Sequence, residues 1–445
     1  MKKAFFSDLR HIELKRSIPI KNGDSSLHCV LFRMKNRINV LFVAIVLILS
    51  TALSAQSLSF NGYVRNYTGV LTSGDNEYSI LQNTFNLNVE HSKDMVSFKA
   101  NPFLYYYTDS ELELGLREVY MDIFFDSIDL RIGKQQIIWG KADGVFITDI
   151  ISPKDLREFL LPDFDEIRTG VTAVKANYYN GDNTLEFVWL PSFTPTAMPE
   201  EGSLWFPQLD FPIQPEFDNS KRNVEASLQN SEIFAKYSAL TSFADFEIMA
   251  GYAWDDDPTM HITKTIDPQT MQLTGLTVFP QHHRLTIAGG SFSTTVSGVV
   301  LRGEGAFYSG KYFNTADPAI HDAVVQKDYI HYLIGMDYSL WDINISGQFI
   351  QQAILDYDKL IDQDEFENTM TFLARRDFLR ETLTFELFTY VGLNNNDALI
   401  RPRLLYDLSD GFEVQFGANI FTGDEGSFGQ YDQNDMIYTK FKYSF

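Results

Sequence analysis

Between residues 129 and 170 the chain carries RIGKQQIIWG, KADGVFITDIISPKDLREF and LLPDFDEIR, its most individual stretch. Arg131, Lys134, Gln135, Trp139, Asp143, Asp149, Arg157, Asp163, Asp165 and Arg168 lie within it and mix both signs of charge. Fixed charges on one segment can set an electric field across a narrow passage and sort solutes by sign, or they can pin the segment to a wall through ion pairs. Either is selection or anchoring, not bond-breaking. Catalytic signals are weak elsewhere. His282 and His283 are adjacent, so on a strand they point to opposite faces and cannot chelate one metal together. There is no Gly-x-Ser-x-Gly elbow and no phosphate-cradling glycine loop. A Ser, His and Asp gathered from separate strands is the catalytic arrangement that stays open. Asp255, Asp256 and Asp257 lack the spacing and glycine of a calcium loop and read as a solvated acidic loop. No enzyme activity, cofactor or metal is expected.

The elements that position such residues follow from polarity and period. Of the 445 residues 44% are hydrophobic and 14% aromatic, and the mean hydropathy of -0.15 is too low for a bundle of membrane helices. The longest apolar run, residues 40–49, is too short to cross a bilayer as a helix. Met34, Lys35 and Arg37 precede it and small residues follow, so residues 34–55 read as a secretory signal peptide cleaved near Ala55. Residues 1–33 read as a non-native upstream extension, with a genuine extended leader as the alternative. The only cysteine, Cys29, lies there, so the exported chain holds no thiol for disulfides or catalysis. The formal charge is -23; residues 1–55 contain nine basic and three acidic residues, so the mature chain carries about -29. That excess argues against nucleic acid as a partner.

From residue 56 to 445 the dominant signal is period two. Ile437, Thr439, Phe441, Tyr443 and Phe445 share one face of the last strand, and Tyr438, Lys440, Lys442 and Ser444 the other. Phe412, Val414, Phe416, Ala418 and Ile420 repeat the pattern, as do Phe246, Ile248, Ala250, Tyr252 and Trp254. One face suits lipid and the other water, which is how a transmembrane β-barrel reconciles modest hydropathy with a membrane. Strand starts near residues 57, 78, 94, 112, 128, 170, 183, 229, 243, 282, 297, 327, 343, 367, 380, 397, 411 and 434 predict an all-β, antiparallel barrel of about 18 strands. Sixteen is the alternative, because Arg375, Arg376 and Asp377 interrupt the pattern around residues 370–380. Tight turns alternate with long links, as periplasmic turns and external loops do in bacterial barrels.

The segment 129–170 becomes the third long link, folded inward. Ser152, Pro153 and Asp155 read as the start of a short helix that Pro162 ends. Phase points Arg65, Lys99, Arg117, Arg131, Lys175, Lys236, Arg284, Arg302, Arg401 and Arg403 into the bore, accompanied by Glu90, Glu118, Asp122, Glu186, Glu232, Glu247, Glu304, Glu386 and Glu413. Of these, Arg117, Lys175, Arg302, Arg401 and Arg403 are the pore-lining candidates; pairing across strands and a substrate rail both fit. LWFPQLDFPIQPEF, residues 204–217, reads as packing over the barrel mouth, with a greasy ligand shelf as the alternative. Residues 258–280 read as a long polar loop.

Arg131, Gly133, Lys134, Gln135, Trp139 and Gly140, followed by Ser152, Pro153 and Asp155, resemble the signature of a large uncharacterised family of porin-like bacterial outer-membrane proteins. The basic-Gly-basic-Gln element is also similar to one in alginate-export barrels, whose arginine-lined bores imply a basic rail here if the substrate were a polyanion. The terminal aromatics Phe441, Tyr443 and Phe445 resemble the signal that the barrel assembly machinery reads. The resemblance implies an outer-membrane channel, with outer-membrane lipid and lipopolysaccharide as surroundings, a small solute as cargo and a homo-trimer as a candidate association. Passive diffusion of small polar or anionic solutes is the leading expectation. A dedicated exporter or importer of a larger or apolar molecule, and a structural or adhesive surface barrel, are the alternatives.

Overall fold

The computed structural model describes residues 58–74, 76–107, 112–207, 211–270 and 272–445. The proposed leader, the upstream extension and Cys29 lie outside the described residues. The wall begins with β1 (Leu58–Leu71), β2 (Tyr78–Lys93), β3 (Val96–Tyr107), β4 (Leu112–Phe124), β5 (Ile128–Gln135), β6 (Val171–Asn180) and β7 (Asn183–Leu190). After β8 (Glu216–Phe217), which lies outside the wall, come β9 (Glu232–Leu240) and β10 (Asp245–Trp254). The hairpin β11 (Thr259–Ile266) and β12 (Leu273–Gln281) joins β8 in a separate three-stranded sheet. The wall resumes with β13 (Arg284–Val296), β14 (Val299–Asn314), β15 (Val324–Leu340), β16 (Ile343–Ile354), β17 (Phe366–Phe378) and β18 (Leu383–Gly392). It ends with β19 (Asp397–Ser409), β20 (Phe412–Thr422) and β21 (Met436–Ser444).

Eighteen of these strands form one antiparallel sheet, and β21 pairs with β1 from Tyr63 opposite Ser444 to Leu71 opposite Met436. That pairing closes the barrel, so its wall has no free edge strand among the described residues. The count is eighteen, not sixteen. Arg375, Arg376 and Asp377 do not break β17, because they lie at its turn end, where side chains on both faces reach water. The hairpin after it turns at Leu379, Arg380 and Glu381, all with φ between 51° and 69°. No glycine, asparagine or proline marks that turn, so the sequence pattern passes over it. The expected starts agree closely with the observed ones; the widest offsets are 229 against Glu232, 327 against Val324 and 380 against Leu383.

Alternation assigns the faces. In β10, Phe246, Ile248 and Tyr252 stand outward and exposed, while Met249 and Ala253 turn inward and are buried. The long polar loop expected at residues 258–280 carries the hairpin β11–β12; Met260, Ile262, Leu276 and Val278 give it a period-two apolar pattern. Asp255 and Asp257 are not free in solvent either. Asp255 meets the Lys311 ammonium at 2.7 Å and Asp257 meets Lys154 at 3.4 Å, tying the fifth long link to β14 and to the third. Arg284 is a second correction. It shares the outward face of β13, lies over the rings of Trp254 and Tyr252, and donates to the Ser231 and Gln229 carbonyls.

Candidate pore constriction and its anchoring

Residues 136–170 leave β5 and cross the lumen. The crossing can be followed bond by bond. The Trp139 indole donates to Glu186 on β7. The Lys141 backbone N–H and the Thr148 hydroxyl donate to Glu304 on β14, at 3.0 and 2.8 Å. The Asp143 backbone exchanges two hydrogen bonds with the Gln348 amide on β16, at 3.1 and 2.8 Å. The Gly144 carbonyl accepts from the Tyr390 hydroxyl on β18 at 2.7 Å. Gly144 has φ +79°, and a Cβ there would fall 2.4 Å from the Phe388 ring, so only glycine lets the chain turn back at this wall.

Asp149 fixes the start, middle and end of the loop together. One carboxylate oxygen accepts the N–H groups of Trp139 and Gly140, both at 2.7 Å. The other accepts from the Arg168 guanidinium at 2.6 Å. Around this knot Ile137, Trp139, Ile147, Ile150 and Ile151 pack on Val188, Phe234, Met249, Leu285, Leu333 and Ile350 of the inner wall. Burying each such side chain stabilises by about 1.5–3 kcal/mol. On this side the lumen is filled by an apolar core, which the expectation of a watered inner face did not foresee.

The other wall is charged. Arg65 on β1 reaches Glu166 at 3.1 Å and Asp163 at 3.7 Å, and Arg117 on β4 reaches Glu166 at 3.5 Å. Arg401 on β19 donates to the Leu160 and Leu161 carbonyls, both at 2.8 Å. Arg403 pairs with Glu386 at 2.7 Å and touches Asp163 at 4.0 Å; Lys440 of β21 comes within 3.5 Å of Asp163. Lys440 foremost, with Arg65 and Arg403, holds the Asp163 carboxyl well below its usual range, outweighing the desolvation that raises it. Arg302 takes Asp143 and Asp337 (2.9 Å), Arg131 takes Asp122 (2.6 Å), and Lys175 lies 3.9 Å from Glu186. Each pore-lining cation named from the sequence therefore has an acidic or carbonyl partner, and most of those partners belong to the loop.

Three placements differ from expectation. The short helix is α1 (Phe164–Ile167), after Pro162 and not before it. Residues 152–162 instead form turns, and the Ser152 hydroxyl accepts from the Ile137 N–H and donates to the Ile137 carbonyl. Lys134 lies on the outward face of β5 with Ile132, because strand parity sets it opposite in sense to Arg131. Gln135 and Trp139 are buried, at 0% and 2% exposure, so they hold the loop and do not face open space. Asp163, Asp165 and Arg157 are exposed, with Arg157 held by Asp155 at 2.6 Å and Glu113 at 3.2 Å. Of the stretch 204–217, Trp205 packs beside Phe421, Phe428 and Tyr431. The sequence reading missed Tyr63, whose hydroxyl donates to Glu166, and the pairing of His261 with His283 and Asp322. Their partners lie far along the chain, and no local spacing announces them.

A closed 18-stranded antiparallel barrel with its third long link folded across the lumen is the architecture of a porin-like outer-membrane barrel. The chain belongs to the family described as protein of unknown function (DUF1302), whose profile matches residues 70–445. No curated protein matches its sequence. Among solved structures it resembles Pseudomonas aeruginosa OccK2 (OpdF) in complex with glucuronate, at 11% identity over 88% of this chain and 98% of that one, with a TM-score of 0.51. Acinetobacter baumannii OccAB1 matches at 7% identity over 88% and 98%, with a TM-score of 0.53. Pseudomonas aeruginosa OccK3 (OpdO) matches at 13% identity over 88% and 96%, with a TM-score of 0.51. These likenesses establish a shared fold with outer-membrane porins.

Proposed function

We propose that the chain is an outer-membrane channel for passive diffusion of small polar or anionic solutes, and not an enzyme, with residues 136–170 as its constriction. The observation that carries this reading is the loop's path, anchored from β5 across to β18 inside a closed barrel. The gathering of Arg65, Arg117, Arg401, Arg403 and Lys440 about Asp163 and Glu166 supports an anion preference at the charged wall. Lipid and lipopolysaccharide are the surroundings this reading gives the outer face.

Purified protein in a planar bilayer tests it. Stepwise ion conductance without added solute is expected, with a reversal potential in a salt gradient that favours anions. Inserted barrels that stay silent would reject the open-channel reading. The apolar packing inside the bore favours a second reading, a dedicated transporter of a larger or apolar molecule, and silence in that assay is its signature.

A further inference from the structure

At the loop end, β1 to β3, Met436 of β21, residues 157–161 of the third long link and residues 203–205 line a partly open cavity of about 370 Å³. Its body is apolar and aromatic: Tyr67, Ile80, Leu161, Trp205 and Met436 line it. These walls are held from behind. Trp205 packs on Phe421 and Tyr431 with ring centroids 5.6 and 5.7 Å away, and Tyr67 on Tyr438 at 5.4 Å. The cavity is therefore set before anything enters it. A dry cavity of roughly 150 Å³ already takes up benzene, so this one has room for a substituted ring.

One corner is polar, formed by Arg157 and Glu158. Arg157 is already engaged by two carboxylates, Asp155 and Glu113. The Tyr107 hydroxyl donates to one Glu158 oxygen at 3.3 Å and itself accepts from the Gln82 amide at 2.9 Å. An anionic head entering here would meet the Glu158 carboxyl and an Arg157 guanidinium whose charge Asp155 and Glu113 already offset. A hydroxyl would find the second Glu158 oxygen. Burial, with the Glu166 charge adding to it, pushes the Glu158 carboxyl up to about 7, so near neutrality it both donates and accepts.

We propose that this cavity binds an uncharged amphipathic molecule, an aromatic or alicyclic body bearing a hydroxyl head. It rests on the channel reading only for its role, as the first stop of a solute at the mouth. The ring packs against Trp205, Ile80 and Met436, and the hydroxyl meets Glu158. The selection differs from that of the cation-rich wall around Asp163.

Calorimetry on the full chain in detergent tests the site with 4-ethylphenol, 3-phenylpropionate and glucose as probes. Saturable binding of 4-ethylphenol is expected, with 3-phenylpropionate weaker by about tenfold at pH 8 and glucose inert. Ile80→Trp and Ser203→Trp each fill the cavity from a different wall and should weaken 4-ethylphenol by about tenfold or more. Unboiled gel mobility identifies the variants that remain folded barrels. Equal or tighter binding of 3-phenylpropionate, binding of glucose, or indifference of 4-ethylphenol to a folded filling variant would overturn the assignment. Conductance of the same preparation separates the two readings. Open channels that ignore the phenol reject this site alone, and silent barrels that bind it reject the open-channel reading alone.

Discussion

Asp149 shows how one side chain can decide whether a loop is part of a wall. Its carboxylate accepts two backbone N–H groups and the Arg168 guanidinium while almost wholly buried. Removing one member of a buried ion pair typically costs about 3–5 kcal/mol, because the other charge is left unpaired. Asp149→Ala should therefore undock residues 136–170 without unfolding the strands, whose ladders lie elsewhere. Limited proteolysis should cut the variant within the loop, and single-channel records should become noisier; a loop as resistant as the wild type would show that the apolar packing alone suffices. Glu158 carries a second residue-scale expectation. Its carboxyl titrates near 7, raised from 4.5, so the folded loop holds the proton more firmly than the solvated chain does. Stability from this group is present at low pH and falls as pH rises from 4.5 through 7. Over the same window the mouth gains a negative charge. Cation preference should rise between pH 5 and pH 8, and Glu158→Gln should abolish the rise.

The third long link is the element on which function turns. Deleting residues 144–166 with a short flexible replacement removes Ile147, Ile150 and Ile151 from the core and releases Arg65, Arg117 and Arg401 from their loop partners. Larger unit conductance and stronger anion preference should follow, measured by bilayer recording and reversal potential. Unchanged values would place the conducting path away from the loop. The strands were legible because alternation is a local signal, repeated along every hairpin. The inward fold of the loop was legible too, from its length and its position after β5. Its fastening was not. Trp139 and Glu186, Thr148 and Glu304, Gly144 and Tyr390 meet only once the barrel has closed, and nothing in their spacing forecasts the pairing. Lys134 failed for a simpler reason: a motif read as a string overlooked the parity that sends it outward.

At the scale of the whole molecule, closure itself is the stabilising act. Phe445 exchanges backbone hydrogen bonds with Gly62 at 3.0 and 2.9 Å, and its ring stacks on Phe85 at 6.3 Å. Phe441, Tyr443 and Phe445 form an outward aromatic row at the turn end, each between 43% and 49% exposed. The row remains about half exposed among the described residues, and we propose lipid or the assembly machinery as its partner. The two roles can be separated. Replacing Phe441, Tyr443 and Phe445 with Ser leaves the β1–β21 backbone pairing available, since those bonds do not depend on side chains. If the row is the assembly signal, the triple variant should reach the outer membrane poorly in cells yet refold into detergent micelles as a barrel that migrates faster unboiled than boiled. Poor behaviour in both settings would show instead that the aromatics are needed to close the sheet, and normal insertion in cells would remove the assembly role altogether.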